Sequence, residues 1–524
     1  MYDYILRGGT VVDGTGSPAF QADVAIKDGR IVDIAATLVG AAKQIVDVTG
    51  LAVAPGFIDI HSHSDTSFLL DGRCESKIYQ GVTTELAGQC GSTIYPCPKD
   101  RMDNIRNFAG SVFTGFASDS FQAFMNKVQA QGKKMSTNLI SLIGHGALRC
   151  GVMGFEDRKA TPEELKEMQE LLHRDMQAGA WGLSLGLGYA PGVSSDQEEL
   201  NALGEVVAKY DGIITSHMRD QGSNTPSSLE EMYEINRKTG AHIHIAHFKA
   251  SEKNNWGRAP EFVQNVAAAR EAGINVTVDL YPYTAASSGI TTSFPKWSIQ
   301  GGTDMAIARL KSEERHRIMD FLEDAFQTKS DGESLYVVTT EGRYPTADGK
   351  NIWELSQELG LSMAETMAKV TIETEARCTC ISFCMSEGDV DYMLAQKNYT
   401  IGSDGRGLPL AAEENKGKPH PRNFGTFPRF LRWAREKGIS LEESVYRITG
   451  LSADVLGLTD RGTLRIGLVA DITVFDPVNV ADKATYVDPF QKPEGIKHVF
   501  INGHPALLYG QQTDKRLGQF ILKK

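Results

Sequence analysis

The chain has 524 residues, of which 41% are hydrophobic and 8% aromatic, so it can bury large cores in two or more domains. Its net charge of −12 argues against binding to nucleic acid or to an anionic membrane. No apolar run approaches the roughly 20 residues of a membrane span, and seven scattered cysteines favour reduced thiols or a metal ligand over a disulfide framework, so we expect a globular, cytoplasmic protein.

Residues 1–55 alternate short β patterns with Gly-rich turns and predict a small all-β unit. From Gly56 onward, apolar strands alternate with amphipathic helices, the pattern of parallel βαβ units. One of these helices begins at Thr161, where a capping box precedes a proline at the first helical position. Eight strands are predicted, which indicates an α/β fold with a (β/α)8 TIM barrel over 56–461: 57–61, 82–87, 139–145, 181–187, 213–217, 242–247, 274–281 and 400–404.

The interval between the seventh and eighth strands is too long for a simple helical connection. We predict an inserted lid over 285–345 and a helix over 362–372. After Arg461, short β patterns return at 463–466, 471–475 and 496–501. The two chain ends, 1–55 and 462–524, are therefore predicted to form one small β-sandwich domain beside the barrel.

Residues that bind metals stand where the predicted barrel strands end, which is where barrel active sites lie. His61 and His63, spaced by one residue, project to the same side of a strand. The other strand ends supply one thiol, two imidazoles and one carboxylate, a ligand set that suits zinc: Cys90, His217, His247 and Asp404. Taken singly, each has an ordinary structural explanation, a buried thiol, a hydrogen-bonded imidazole or a turn aspartate; taken together, those explanations require a series of coincidences.

Other metal-type residues are assigned differently. His145 ends the third predicted strand and remains a candidate for the surroundings of the site. His242 and His244 lie within the body of the sixth strand and are predicted to be packed or to face outward. Three cysteines in an apolar, strand-like run without histidines are expected to be structural: Cys378, Cys380 and Cys384.

Over nearly its whole length the chain resembles the amidohydrolase superfamily and, within it, the D-aminoacylase (N-acyl-D-amino-acid deacylase) family. The motifs that carry the resemblance are Gly56-Phe57-Ile58-Asp59-Ile60-His61-Ser62-His63, Gln89-Cys90-Gly91, His217-Met218-Arg219-Asp220, His247-Phe248-Lys249, Tyr281-Pro282-Tyr283, Gly402-Ser403-Asp404-Gly405 and His420-Pro421-Arg422. The resemblance implies hydrolysis of the amide bond of an N-acyl-D-amino acid.

The resemblance also implies a metal arrangement. Cys90, His217 and His247 would hold one tight zinc ion, and His61 and His63 would form a second, weaker site. Relatives that bridge two metals with a carbamylated lysine take it from the end of strand four, but no lysine occurs between Arg174 and Lys209. Cys90 is therefore the available bridging anion.

At its strand end, Asp404 is placed to accept a proton from water and to pass it to the departing amine, since one carboxylate can act first as base and then as acid. By family similarity, the substrate α-carboxylate would meet Lys249, Arg422 and Tyr283, with Ser287 or Ser288 as a further candidate and Tyr189 as a wall residue. The alternative interpretation of Lys249 and Arg422 is that each is a solvated surface charge. The loop 406–418 is longer than expected for the family, which bears on substrate range more than on reaction type.

Two other functions compete. The same metal site could open a cyclic amide, as dihydroorotases and hydantoinases do, although the missing strand-four lysine counts against this alternative. A non-catalytic scaffold is the other, and it conflicts with the complete ligand set. Side-chain and acyl preferences, the occupancy of the second metal site and the oligomeric state are not readable from the sequence, and Lys296 could face an acidic side chain or solvent.

Overall fold

The computed structural model describes residues 1–109 and 113–524, and a barrel of parallel strands occupies its centre. Hydrogen bonding orders the strands into two arcs, and a parallel bridge from Ser62 to Gly405 joins the first strand to the last. The prediction of a TIM-type α/β barrel is confirmed. In the described ranges the strands are Phe57–Asp59, Val82–Ala87, Asn138–Ser141 continued by Ile143–Gly144, Gly182–Gly186, Ile213–His217, His242–Ile245, Val276–Leu280 and Thr400–Ile401.

The barrel strands are almost entirely buried, as expected for parallel strands that are covered on both faces. Leu183, Ile214, Ile243 and Ile401 are fully buried in the same core. Helix Pro162–Gln177 begins with the predicted capping box of Thr161. The other helices outside the insertion are Ser67–Leu70, Glu75–Ile78, Met102–Ala109, Phe121–Ala130, His145–Met153, Gln197–Ala208, Thr225–Thr239, Ala259–Glu271, Glu387–Leu394, Arg422–Glu436, Leu441–Ile448 and Gly450–Leu456.

Strands from both chain ends belong to a single nine-stranded sheet within the described residues. The ends join where Ala52–Pro55 pairs antiparallel with Ile472–Phe475. Residues 463–466, predicted as a strand, form a turn region, because Leu464 N donates to Asp13 O at 2.9 Å instead of to a strand partner. The sandwich description and the limits 1–55 and 462–524 stay predictions. The strands are Tyr2–Val11, Phe20–Lys27, Arg30–Ala35, Ala42–Asp47, Ala52–Pro55, Ile472–Phe475, Ile496–Ile501, His504–Leu508 and Gln511–Gln512.

The insertion between barrel strands seven and eight has a core and a sheet of its own. Thr379–Ser382 is the central strand of that sheet, between Ala286–Gly289 and Leu335–Thr339. The inserted unit therefore extends past residue 345, the predicted lid boundary, because its central strand comes last in sequence. Its helices are Lys296–Ile299, Gly302–Leu310, Arg315–Thr328, Ile352–Leu359 and Met363–Glu373, the last of which matches the predicted helix.

No helix in the described part of the chain is both long enough and apolar enough to cross a lipid bilayer.

Candidate metal centre

Cys90 and three imidazoles converge at the carboxyl-terminal mouth of the barrel. The Cys90 Sγ lies 3.5 Å from Nε2 of His61 and 3.5 Å from Nε2 of His247. The Nδ1 of His217 lies 2.8 Å from the same His247 Nε2. The Cys90 thiol and the imidazoles of His61 and His247 therefore face one common point, and His217 lies beside His247.

Asp404 and His63 lie next to this group at the barrel seam, where the first barrel strand meets the last. The Asp404 Oδ1 lies 3.1 Å from His63 Nε2 and 3.6 Å from His61 Nε2. The backbone places the carboxylate there, because Asp404 N donates to His61 O at 2.8 Å and His63 N donates to Gly405 O at 2.8 Å. His61 therefore belongs to two overlapping groups of potential ligands, one with Cys90 and His247 and one with His63 and Asp404.

Three of these residues have a left-handed backbone, with φ of 55° at Cys90, 37° at His247 and 50° at Asp404. Such a conformation costs a residue with a side chain about 1–3 kcal/mol and is typical of functional sites. The backbone after Cys90 is closely packed, since a β-carbon on neighbouring Gly91 would lie 2.9 Å from Gly186 N. The left-handed backbone at these three strand ends thus directs the candidate side chains toward the mouth of the barrel.

Asp279 holds two of the proposed ligands in place from behind. Its Oδ2 lies 3.2 Å from His61 Nδ1 and 2.9 Å from His244 Nε2, and its Oδ1 accepts from the backbone N of His247 at 2.9 Å. An Nδ1–H bond to this carboxylate leaves the His61 Nε2 free to bind a metal, the usual arrangement behind a metal-bound histidine. His244, predicted to be packed or outward-facing, is fully buried and packs inward against Asp279.

The electrostatics favour an anionic sulfur. Burial raises the pKa of the Cys90 thiol, but the charge of His61 and hydrogen bonds to the imidazoles of His217 and His247 outweigh burial and hold that pKa well below its ordinary value. Burial, together with nearby Lys249, lowers the pKa of His247 to about 3 and keeps its ring neutral. A thiolate and a neutral imidazole are the forms that bind a metal.

The carboxylate of Asp404 is held in its charged form. Burial raises its pKa, but the Arg422 guanidinium and a hydrogen bond from His63 outweigh burial and lower the pKa well below its usual range. The same hydrogen bond overcomes burial at His63 and raises the pKa of that imidazole to about 8.

The residues present fit zinc. Thiol and imidazole ligands in a partly enclosed mouth form a typical zinc donor set, and the three-residue groups each place their ligand atoms within 4.8 Å of one another.

Three cationic or aromatic groups lie on one side of this centre. Lys249 Nζ is 5.5 Å above the centre of the Tyr281 ring, and the Arg422 guanidinium carbon is 4.9 Å from the same ring. The Lys249 Nζ also donates to Gln221 Oε1 at 3.0 Å. The Tyr281 hydroxyl is a buried group without a hydrogen-bond partner among the described residues. An anion between these side chains would satisfy all of them.

The other predicted substrate residues are distributed more widely. Tyr189 packs against His217 with 4.5 Å between ring centres, so it lies beside one of the candidate ligands. Tyr283 is directed elsewhere, with its hydroxyl 3.4 Å from Pro421 O and its ring beneath Arg429. The Ser288 hydroxyl pairs with Thr292 at 2.8 Å, whereas the carbonyl of Ser287 lies 3.5 Å from Arg422 Nη2.

Further candidates from the sequence lie outside the cluster of ligands. His145 Nε2 pairs with the carboxylate of Glu199 at 2.7 Å, in a buried group that also contains Arg149. The Sγ atoms of Cys378 and Cys380 are 3.8 Å apart inside the core of the insertion, as expected for a structural role.

Sequence reasoning missed Tyr281 and Asp279. Asp279 carries a usable signal, because a charged residue in an otherwise apolar, doubly covered strand needs a buried partner. Tyr281 and Tyr283 share one motif and follow a strand that ends at Leu280, so their spacing does not indicate which of the two lies beside Lys249 and Arg422.

A family model described as the amidohydrolase family matches residues 44–306 and 417–506. The chain is 32% identical to a D-aminoacylase of Alcaligenes xylosoxydans xylosoxydans over 100% of this chain and 98% of that protein. It is also 32% identical to an N-acyl-D-aspartate deacylase of the same organism, over 99% and 95% of the two chains. The crystal structure of an N-acyl-D-glutamate deacylase from Bordetella bronchiseptica, complexed with zinc and a phosphonate inhibitor, superposes with a TM-score of 0.83 at 29% identity and full coverage of both chains.

Proposed function

The chain belongs to the amidohydrolase family, and from this premise we propose that it is a zinc-dependent hydrolase of N-acyl-D-amino acids that releases a carboxylate and a free D-amino acid. One observation carries the proposal: the thiol of Cys90 and the imidazoles of His61 and His247 face one point at the mouth of the barrel. The similarity to deacylases of D-amino acids over the whole chain supports the substrate class.

The proposed ligands are Cys90, His217 and His247 for a tight ion and His61 and His63 for a weaker second ion. When bound, zinc polarises a scissile carbonyl and lowers the pKa of water to about 7. The protein keeps the sulfur anionic and the rings oriented, with Asp279 fixing the His61 ring.

Asp404 is proposed as the catalytic base and acid. Its carboxylate is charged, buried and positioned beside the imidazoles by the backbone bond to His61 O. From that position it accepts a proton from the attacking water and delivers it to the leaving nitrogen, which must be protonated to depart as an amine.

The substrate α-carboxylate is proposed to bind between Lys249 and Arg422. A guanidinium suits a carboxylate because it can donate to both oxygens. Tyr281 replaces Tyr283 in this proposal, because both cations lie against the Tyr281 ring and its hydroxyl is unpartnered among the described residues, whereas the Tyr283 hydroxyl faces Pro421. Tyr189 remains the opposite wall, and Ser288 stays a more distant candidate.

The alternative is hydrolysis of a cyclic amide on the same ligands. The segment between Arg174 and Lys209 has no lysine to bridge two metals, and the cations beside Tyr281 suit a free carboxylate better than a ring. Linear N-acyl-D-amino acids are therefore the preferred substrates.

The decisive experiment is an assay of N-acetyl D- and L-amino acids, hydantoins and dihydroorotate, with zinc quantified in the same sample. Turnover of the D-series that is lost on chelation and restored by zinc supports the proposal. Turnover restricted to cyclic amides would replace it with the alternative, and no turnover in a zinc-loaded sample would refute it.

We also propose the cytoplasm as the location, since all seven cysteines, each within the described ranges, are free thiols, which is typical of reducing compartments. The proposed partner is a small molecule.

A further inference from the structure

Beneath the metal centre lie three fully buried charged side chains that the proposed chemistry does not use. Lys77 Nζ is 2.6 Å from Asp59 Oδ2 and 3.4 Å from Glu85 Oε2, and all three side chains have 0% exposure. Burying ions costs several kcal/mol each, and a buried ion pair is weak evidence for added stability. The cluster therefore calls for a role other than stability.

The cluster holds the residues on both sides of Asp404. Ser403 donates to Asp59 twice, from its backbone N at 2.8 Å and from its hydroxyl at 2.6 Å. Lys77 Nζ donates to the same hydroxyl at 2.7 Å, and Gly405 N donates to it at 3.0 Å. The backbone before and after Asp404 is thus tied to one lysine.

The same cluster holds the segment that carries His63. Glu85 Oε2 accepts hydrogen bonds from the hydroxyls of Ser62 and Ser64, each at 2.6 Å. Lys77 contacts Glu85, which holds the end of the first strand, and Asp59, which holds Ser403 after the eighth strand. It therefore links the ends of the first and last barrel strands.

We propose that Lys77 is a positioning residue that sets the distance between the Asp404 carboxylate and the histidines of the metal centre. The inference rests on the proposed function. Asp404 needs such support because its left-handed backbone, with φ of 50°, is intrinsically unfavourable. A displacement of about 1 Å caused by a mutation away from the chemistry can reduce the rate about 100-fold.

The test is Lys77→Met in the full-length, zinc-loaded protein. We expect kcat to fall about 100-fold, KM to stay within about threefold because the α-carboxylate site is untouched, and zinc content to stay at the wild-type value. A kcat within about twofold of the wild type would overturn the inference.

A matched control separates positioning from stability. Arg461 and Asp471 form another buried ion pair, with 2.5 Å between Nη1 and Oδ2 and 3% exposure of each side chain, and neither is placed in the site. Arg461→Met should lower the melting temperature, as Lys77→Met should, while kcat stays near the wild-type value. An equal loss of kcat in both variants would assign the effect to general destabilisation.

A double-mutant cycle identifies the partner of Lys77. If Lys77 acts through Asp404, then Lys77→Met should reduce the residual rate of Asp404→Asn by less than about threefold. A further loss of about 100-fold in that background would overturn the inference.

If Lys77→Met does not fold, the variant Ser403→Ala tests the inference instead, because it removes only the hydroxyl that links Lys77 and Asp59 to Gly405. We expect about a tenfold loss of kcat at unchanged KM, and a wild-type kcat would overturn the inference. A wild-type protein inactive on N-acyl-D-amino acids would instead refute the proposed function, so the two failures are distinguishable.

Discussion

The Arg422 Nη1 lies 2.8 Å from the Asp404 Oδ2, so the proposed carboxylate anchor and the proposed base are in direct ionic contact. Both side chains are nearly buried, at 7% and 9% exposure. The Arg422 Nη1 nevertheless makes no directed hydrogen bond to any described residue, so its interaction with Asp404 is purely ionic.

Arg422→Met should therefore affect both binding and turnover. Loss of the anchor should raise KM about tenfold or more, because a charge-assisted hydrogen bond contributes about 1.5–3 kcal/mol. Loss of the neighbouring cation should also change kcat, since Asp404 would no longer be held in its charged form. Steady-state kinetics with N-acetyl-D-leucine measure both values, and an unchanged KM would remove Arg422 from the anchor role.

Asp404→Asn should keep the metal and lose turnover. The amide preserves shape but accepts no proton, so kcat should fall by about 10²–10⁴-fold, the range of general acid–base catalysis. Zinc content measured on the same preparation should match the wild type. Near-normal activity would remove Asp404 from the base role.

Tyr281→Phe and Tyr283→Phe form a matched pair that differs only in which hydroxyl is removed. Tyr281→Phe should raise KM for N-acetyl-D-amino acids about tenfold, as expected for the loss of a hydrogen bond to a charged group. Tyr283→Phe should leave KM unchanged, because its hydroxyl faces Pro421 O. A raised KM for Tyr283→Phe with an unchanged KM for Tyr281→Phe would instead assign the carboxylate contact to Tyr283.

Lys296 should influence side-chain preference. Its Nζ donates to Gly188 O at 3.2 Å, and a β-carbon on Gly188 would lie 3.7 Å from that Nζ and 3.0 Å from His217 Nε2. A cation this close to the centre should favour acidic substrates. Lys296→Met should therefore lower kcat/KM for N-acetyl-D-glutamate about tenfold relative to N-acetyl-D-leucine. Equal changes for the two substrates would place Lys296 outside the side-chain pocket.

His498 should make the protein less stable in acid. Burial and nearby Lys497 lower its pKa from 6.5 to about 4. Because the unfolded chain binds this proton more readily, stability is unaffected above about pH 6.5 and falls as the pH drops from about 6.5 towards about 4, by about 2 kcal/mol at pH 5. Urea unfolding at pH 7 and pH 5 measures the loss.

The variant His498→Asn tests this prediction. In the wild type Tyr509 N donates to His498 Nδ1 at 3.3 Å, and the asparagine preserves an acceptor for that group. The variant should lose less stability between the two pH values than the wild type does. His504→Asn, at an exposed position on the next strand, is the control and should behave as the wild type.

Much of the architecture was predictable because it depends on local patterns. The strand periodicity and the one-residue spacing of His61 and His63 predicted the barrel and a ligand position. Long-range pairing was less accessible. The strand Thr379–Ser382 completes a sheet begun before residue 345, and local sequence does not encode that partnership.

The side chains behind the site show the same limit. His244 lies in the body of a strand, and its inward direction became clear only when Asp279 of the neighbouring strand was placed beside it. Lys77 belongs to the short helix Glu75–Ile78, and no pattern in that helix distinguishes a buried lysine from a solvated one.

His63 and Asp404 are separated by 341 positions in the chain and meet only at the seam where the first barrel strand joins the last. The first six barrel strands already carry the imidazoles and the thiol of the centre. The carboxylate of Asp404 joins them only when the last strand pairs with the first and closes the barrel. Catalytic competence should therefore be one of the last properties to return during refolding, and any nascent chain that ends before residue 404 should be inert.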